Sequence, residues 1–192
     1  DLARELAGAG AAVLLAGRDA VRLAAIKAEL GASADSVVAD LTTAQGIAAA
    51  NTAARAFGVN VLINNAGVGA FGLFDQQAWP TVEQVLATNL EAPLRLTQAL
   101  LPWLKAQPTA AVVNVGSMFG SLPYPGFAAY SAAKAGLRGF SQALRRELAD
   151  TPVAVIHIAP RVIDTPLNTE AVNQLNRAQH DTVHDPEVLA RI

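Results

Sequence analysis

The sequence predicts an α/β domain built on a doubly wound parallel sheet with helices on both faces. Three observations predict it. Short, continuous apolar runs rich in Val and Ile read as strands covered on both sides. Longer runs of helical periodicity alternate with them along the chain, the pattern of repeated strand–helix–strand units. Apolar residues make up 52% of the 192 residues and charged ones 16%, which suits a buried sheet and excludes a disordered segment.

The first residues, Asp1 to Ala7, form an amphipathic helical run that begins inside its own periodic pattern without an initiating Met. They have none of the features of a secretory signal, and the true start is expected upstream. Strands are predicted at Ala12–Ala16, Ser36–Ala39, Val59–Ile63, Ala110–Val115 and Val153–Ile158. Helices are predicted at Ala20–Leu30, Thr43–Phe57, Thr81–Lys105 and Ala128–Ala149. Asp19 is placed to cap the first of these, and Thr42 or Thr43 the second. Pro93 removes a backbone donor inside the long third helix and should kink it. Pro and Gly between Ser121 and Gly126 mark a loop. No repeat, low-complexity tract or linker interrupts the pattern, so residues 1–192 read as one domain.

Net charge is −2 with no basic block, which argues against nucleic acid and for a small-molecule partner. Cysteine is absent, which excludes disulfides, thiolate metal sites and a Cys nucleophile. That absence fits a reducing compartment, and a cytoplasmic location is expected. No run approaches the roughly 18 apolar residues of a membrane span. His180, Asp181, His184 and Asp185 offer two His at helical spacing but no further ligand, so they read as a polar exposed helix and no metal is expected.

In doubly wound sheets ligands bind beyond the carboxyl ends of the strands. That rule singles out Gly17-Arg18, Asp40-Leu41, Asn64-Asn65-Ala66-Gly67, Gly116-Ser117 and the stretch from Pro160 to Thr165. Tyr130 and Lys134 lie four apart at the start of a helix and share a face. An ammonium beside a phenol lowers the phenol pKa from about 10 toward neutrality. Such a phenol exchanges a proton with a carbonyl or alcohol oxygen near physiological pH. Taken alone the pair also fits a surface Tyr with a solvated Lys. Ser117 follows a strand 13 residues before Tyr130 and is either a turn residue or a second donor to the same oxygen. Gly67 permits close backbone approach to a flat ligand, or marks an ordinary turn.

In their order along the chain, Asp40-Leu41, Asn64-Asn65-Ala66-Gly67, Asn89, Ser117 and Tyr130-Ser131-Ala132-Ala133-Lys134 resemble the motifs of the short-chain dehydrogenase/reductase family, in its compact single-domain branch. The resemblance covers residues 1 to about 167 and implies a Rossmann-like fold. It implies hydride transfer between a nicotinamide cofactor and a carbonyl or alcohol, with Asn89, Ser117, Tyr130 and Lys134 as the catalytic residues. Tyr130 is then the acid or base, Lys134 holds the cofactor ribose and lowers the phenol pKa, and Ser117 orients the substrate oxygen. Asn89 is expected to break its helix and hold a water that relays protons to Lys134. Arg18, Asp40, Leu41, Asn64, Ala66, Gly67, Tyr130, Lys134, Pro160, Ile163 and Thr165 are expected to contact the cofactor. Arg18 stands where relatives preferring NAD carry an acid, so NADP(H) is expected over NAD(H).

The family's first strand and Gly-rich phosphate loop are not found in the sequence, and its last strand is not recognisable. Gly8-Ala9-Gly10 is no substitute, because it follows a helix and precedes a strand. The chain is accordingly expected to be incomplete and to bind cofactor poorly. Pro160-Arg161 replaces the family's Pro-Gly, and Arg161 reads as a solvent-facing side chain. Residues 166–192 fall where the family places its variable substrate-covering helices. Relatives imply a homodimer or homotetramer for the full-length protein. A silent dinucleotide-binding regulator is the alternative; it tends to lose the Tyr or Lys that this chain keeps. A longer-branch epimerase or dehydratase is disfavoured by the Asn64-to-Gly67 signature.

Overall fold

The computed structural model describes residues 1–161 and Val172. The order is α1 (Leu2–Gly8), β1 (Val13–Gly17), α2 (Ala20–Leu30), β2 (Ala34–Val38), α3 (Ala44–Phe57), β3 (Val61–Asn64), α4 (Trp79–Leu86), α5 (Ala92–Lys105), β4 (Ala110–Val115), α6 (Ala128–Glu147) and β5 (Val153–Ile158). All the strand pairs are parallel, as predicted for strand–helix–strand units. Among the described residues they form two sheets, β1–β2 and β3–β4–β5. A groove of about 590 Å³ runs between β1 and β3, lined among others by Leu14, Leu41, Val61, Ile63 and Leu96.

Local chemistry sets the boundaries. The Asp19 carboxylate accepts from the Arg22 N–H at 2.9 Å, the expected cap of α2. Of the two Thr candidates for α3, Thr43 is the cap, accepting from Gly46 N–H at 3.0 Å. Gly58 ends α3 in the left-handed region (φ 79°), and the N–H of Val59 returns to the Ala54 carbonyl. That capping bond withdraws Val59 from the sheet. β3 therefore starts at Val61, two residues later than predicted.

The long helix predicted from Thr81 is broken in an informative place. Pro93 has no N–H to offer the Asn89 carbonyl four residues before it. The chain widens into a π turn over Ala87–Glu91, between α4 and α5. The expected kink is this turn, and it carries Asn89 fully buried. The main core lies between the sheet and α3, α5 and α6, with Leu100, Leu104, Val112 and Val155 among its buried members. α6 turns Ala129, Ala133, Leu137, Ser141 and Leu144 inward at helical spacing. That burial fixes the rotation of the helix, and so the direction in which Tyr130 and Lys134 face.

Candidate active site

Strand ends and the first turns of α6 meet at one edge of the three-stranded sheet. Ser117 leaves β4 in extended conformation and caps a short 3₁₀ turn over Met118–Gly120. Its hydroxyl comes close enough to the Tyr130 phenol to favour the phenol's ionised form. Gly120 lets this turn lie against α6: a Cβ there would come within 2.8 Å of the Lys134 carbonyl. Met118 N–H donates to the Pro160 carbonyl at 3.0 Å, which ties the end of β5 into the same corner.

Lys134 is buried, and its Nζ lies 5.8 Å from the centre of the Tyr130 ring. One of its N–H groups donates to the Val115 carbonyl at 2.9 Å. Burial draws the ammonium down to about 8. The phenol departs from expectation. Burial raises it above its ordinary value, and Ser117 offsets that only partly. The ammonium sits over the ring face and is engaged by a backbone carbonyl, and burial is the larger influence on the phenol.

Asn89 reaches the same corner from the π turn. Its Oδ1 accepts from the Val68 N–H and its Nδ2 donates to the Val68 carbonyl, each at 2.8 Å. The loop after β3 is thereby fixed. A Cβ on Gly67 would lie 3.3 Å from Asn89 Oδ1 and 3.9 Å from Lys134 Nζ, so a side chain there would crowd the Asn89 amide.

The remaining sequence candidates divide. Arg18 is exposed at the end of β1, and its charge helps to lower the Asp40 carboxyl, after the larger effect of the Thr42 hydrogen bonds. Asp40 accepts from the Thr42 hydroxyl at 2.7 Å and N–H at 3.0 Å, so its carboxylate shapes the turn after β2. Leu41 packs on the core. Ala66 is exposed beside Gly67. Asn64 is buried, its amide donating to Thr97 Oγ1 at 3.1 Å and Asn114 Oδ1 at 2.8 Å. Arg161 is exposed, as expected. Ile163, Thr165 and the His180–Asp185 cluster lie outside the described residues.

Sequence reasoning overlooked Asn114, Ser141 and His157, which continue the bonds of Asn64 across the sheet. The available signal was a lone Asn inside the apolar run of β4, since a buried amide requires partners.

The family model described as short chain dehydrogenase matches residues 1–176. The chain belongs to the short-chain dehydrogenase family. This short-chain dehydrogenase is 33% identical over 184 residues to nodulation protein G of Rhizobium meliloti, covering 95% of this chain and 74% of that one. Its fold matches the structure of a 3-ketoacyl-(acyl-carrier-protein) reductase from Brucella melitensis complexed with NADH, with a TM-score of 0.90 and 27% identity over 99% of this chain and 81% of that one. A serine dehydrogenase complexed with NADP+ gives 0.89 and 26%, over 99% of this chain and 80% of that one. The enzyme class follows from membership: short-chain dehydrogenases are oxidoreductases. Among the described residues no helix of this dehydrogenase is long and apolar enough to cross a membrane.

Proposed function

We propose that this chain interconverts a carbonyl and an alcohol on a small molecule, using a nicotinamide dinucleotide and preferring NADP(H). The observation that carries the reading is the burial of Tyr130 and Lys134 together at the sheet edge, with Lys134 Nζ over the face of the Tyr130 ring and Ser117 close enough to act on the phenol.

The residues present suit such a cofactor. Lys134 uses one of three N–H donors on Val115, leaving donors for ribose hydroxyls. The bare backbone at Gly67 offers close approach to a flat ring. Arg18 presents a guanidinium at the end of β1, where a 2′-phosphate is better matched than a diol. The two solved neighbours carry NADP+ and NADH respectively, so both cofactors occur on this fold.

The bound nicotinamide supplies or accepts the hydride. Tyr130 gives its phenolic proton to the carbonyl oxygen in reduction, or removes the alcohol proton in oxidation. Ser117 donates to the same oxygen and steadies its developing charge. Lys134 favours the phenolate that reduction leaves behind, because an ammonium stabilises the anion more than the neutral phenol. Asn89 holds the loop that carries Gly67.

The test is a panel of carbonyl compounds with NADPH, comparing the full-length protein with its Tyr130→Phe variant. Loss of about 10²–10⁴-fold in kcat with the fold preserved is expected. Equal turnover by Tyr130→Phe sinks the reading.

A further inference from the structure

Asn64, Asn114 and His157 stand in register on β3, β4 and β5. With Ser141 their side chains form a continuous line, buried at Asn64, Asn114 and Ser141 and half-buried at His157. Asn64 Nδ2 donates to Asn114 Oδ1 at 2.8 Å, and Asn114 Nδ2 donates to Ser141 Oγ at 2.9 Å. Ser141 Oγ then lies 3.3 Å from His157 Nδ1.

Counting protons at Ser141 assigns the tautomer of the histidine. A hydroxyl has one proton, and Ser141 donates it to the Leu137 carbonyl at 2.7 Å, its shortest contact. Toward Asn114 and His157 it is left with lone pairs. The imidazole therefore carries its proton on Nδ1 and donates to Ser141, and Nε2 is bare. Burial holds the ring neutral, and Arg138, Lys134 and Arg145 of α6 act in the same direction.

The ring also meets the strand at a second point. A Cβ on Gly116 would lie 2.4 Å from His157 Cε1 and 2.5 Å from Nε2, so the imidazole rests on the bare backbone of Gly116. His157 thus constrains Asn114 through Ser141 and Gly116 by direct contact. The residue between them is Val115, whose carbonyl accepts from Lys134 Nζ.

We propose that His157 is a positioning residue for Lys134, fixing the Val115 peptide to which the ammonium is anchored. The consequence for catalysis rests on the reading of Tyr130 and Lys134 given above; the positioning itself does not.

Three variants separate the donor from the bulk of the ring. The amide of His157→Asn places an N–H near the position of Nδ1 and can still donate to Ser141. His157→Gln carries its amide one carbon farther out, nearer Nε2, and His157→Leu fills space without any donor. Lys134 is followed at its Cε by NMR in the full-length protein, and the wild-type imidazole nitrogens are read for their protonation. The Lys134 titration is expected to stay in place in His157→Asn. In the Gln and Leu variants it rises by about half a unit or more, as the released ammonium reaches water. Their kcat falls roughly tenfold at unchanged substrate KM, and the Tyr130 limb of the pH–rate profile moves upward. A wild-type proton on Nε2, or a Lys134 titration with no upward movement in Gln and Leu, overturns the proposal. Displaced Lys134 titration without Tyr130-dependent turnover upholds the positioning and sinks the functional reading instead.

Discussion

Asn89 grips the peptide group of Val68 from both sides, accepting from its N–H and donating to its carbonyl at 2.8 Å each. A primary amide is the one small side chain that completes both bonds at once. Asn89→Ala leaves two polar backbone groups without their partner in a closed setting. A loss of about 2–4 kcal/mol is expected in urea unfolding. Cofactor affinity should fall with it, because Gly67 adjoins the released peptide. Unchanged stability would show that the clasp has a substitute.

The buried amine of Lys134 makes stability depend on pH with a defined sign. Its folded value of about 8 lies below the ordinary 10.5 of a lysine, so between these limits the unfolded chain binds more protons. Stability from this group therefore rises with pH across that window, by about 3 kcal/mol, after a constant penalty below pH 8. Tyr130, raised by burial, acts oppositely above pH 10. The difference in unfolding free energy between wild type and Lys134→Met should climb from pH 8 to 10. A flat difference would contradict the burial of the ammonium.

Two glycines in helices should respond in opposite ways to alanine. A Cβ on Gly46 would sit 1.9 Å from the Asp40 carbonyl oxygen, and backbone cannot swing aside. Gly46→Ala should cost at least about 2–3 kcal/mol. Nothing lies within 4 Å of the corresponding position on Gly139, in the exposed part of α6. Gly139→Ala should add about 0.5–1 kcal/mol from helix propensity. Thermal melts of the two variants decide both.

Arg18 is the lever on cofactor choice. Arg18→Glu exchanges a match for a 2′-phosphate for one to a pair of hydroxyls, and should lower the NADPH-to-NADH ratio of kcat/KM by about tenfold or more. The reaction itself should persist. An unchanged ratio would move the determinant elsewhere.

The alternation of apolar strands and periodic helices made the fold legible, because burial on both faces leaves a continuous Val and Ile signature. Ala110–Val115 and Val153–Ile158 appear where predicted. Boundaries fixed by long-range bonds were not legible. The start of β3 depends on a helix cap that takes Val59, and the break before Pro93 on what a missing donor does to the Asn89 carbonyl. Ser117, Tyr130 and Lys134 were named from spacing and meet in space. Asn64 shows another case: the sequence marks it as special, while only the fold reveals that its amide donates to Thr97 and Asn114. His157 was invisible, since a histidine near a strand end says nothing of Ser141 on a helix 16 residues earlier.

Within residues 1–192 the groove between β1 and β3 forms a seam. Among the described residues no ladder of backbone bonds crosses it, and the two sides hold together through side chains, with α3 packed along α5. Two strands alone are a marginal structure. In a chain of residues 1–192 alone, the β1–β2 half should unzip first on warming, its amides trading hydrogen for deuterium while β3, β4 and β5 stay closed around the reaction corner.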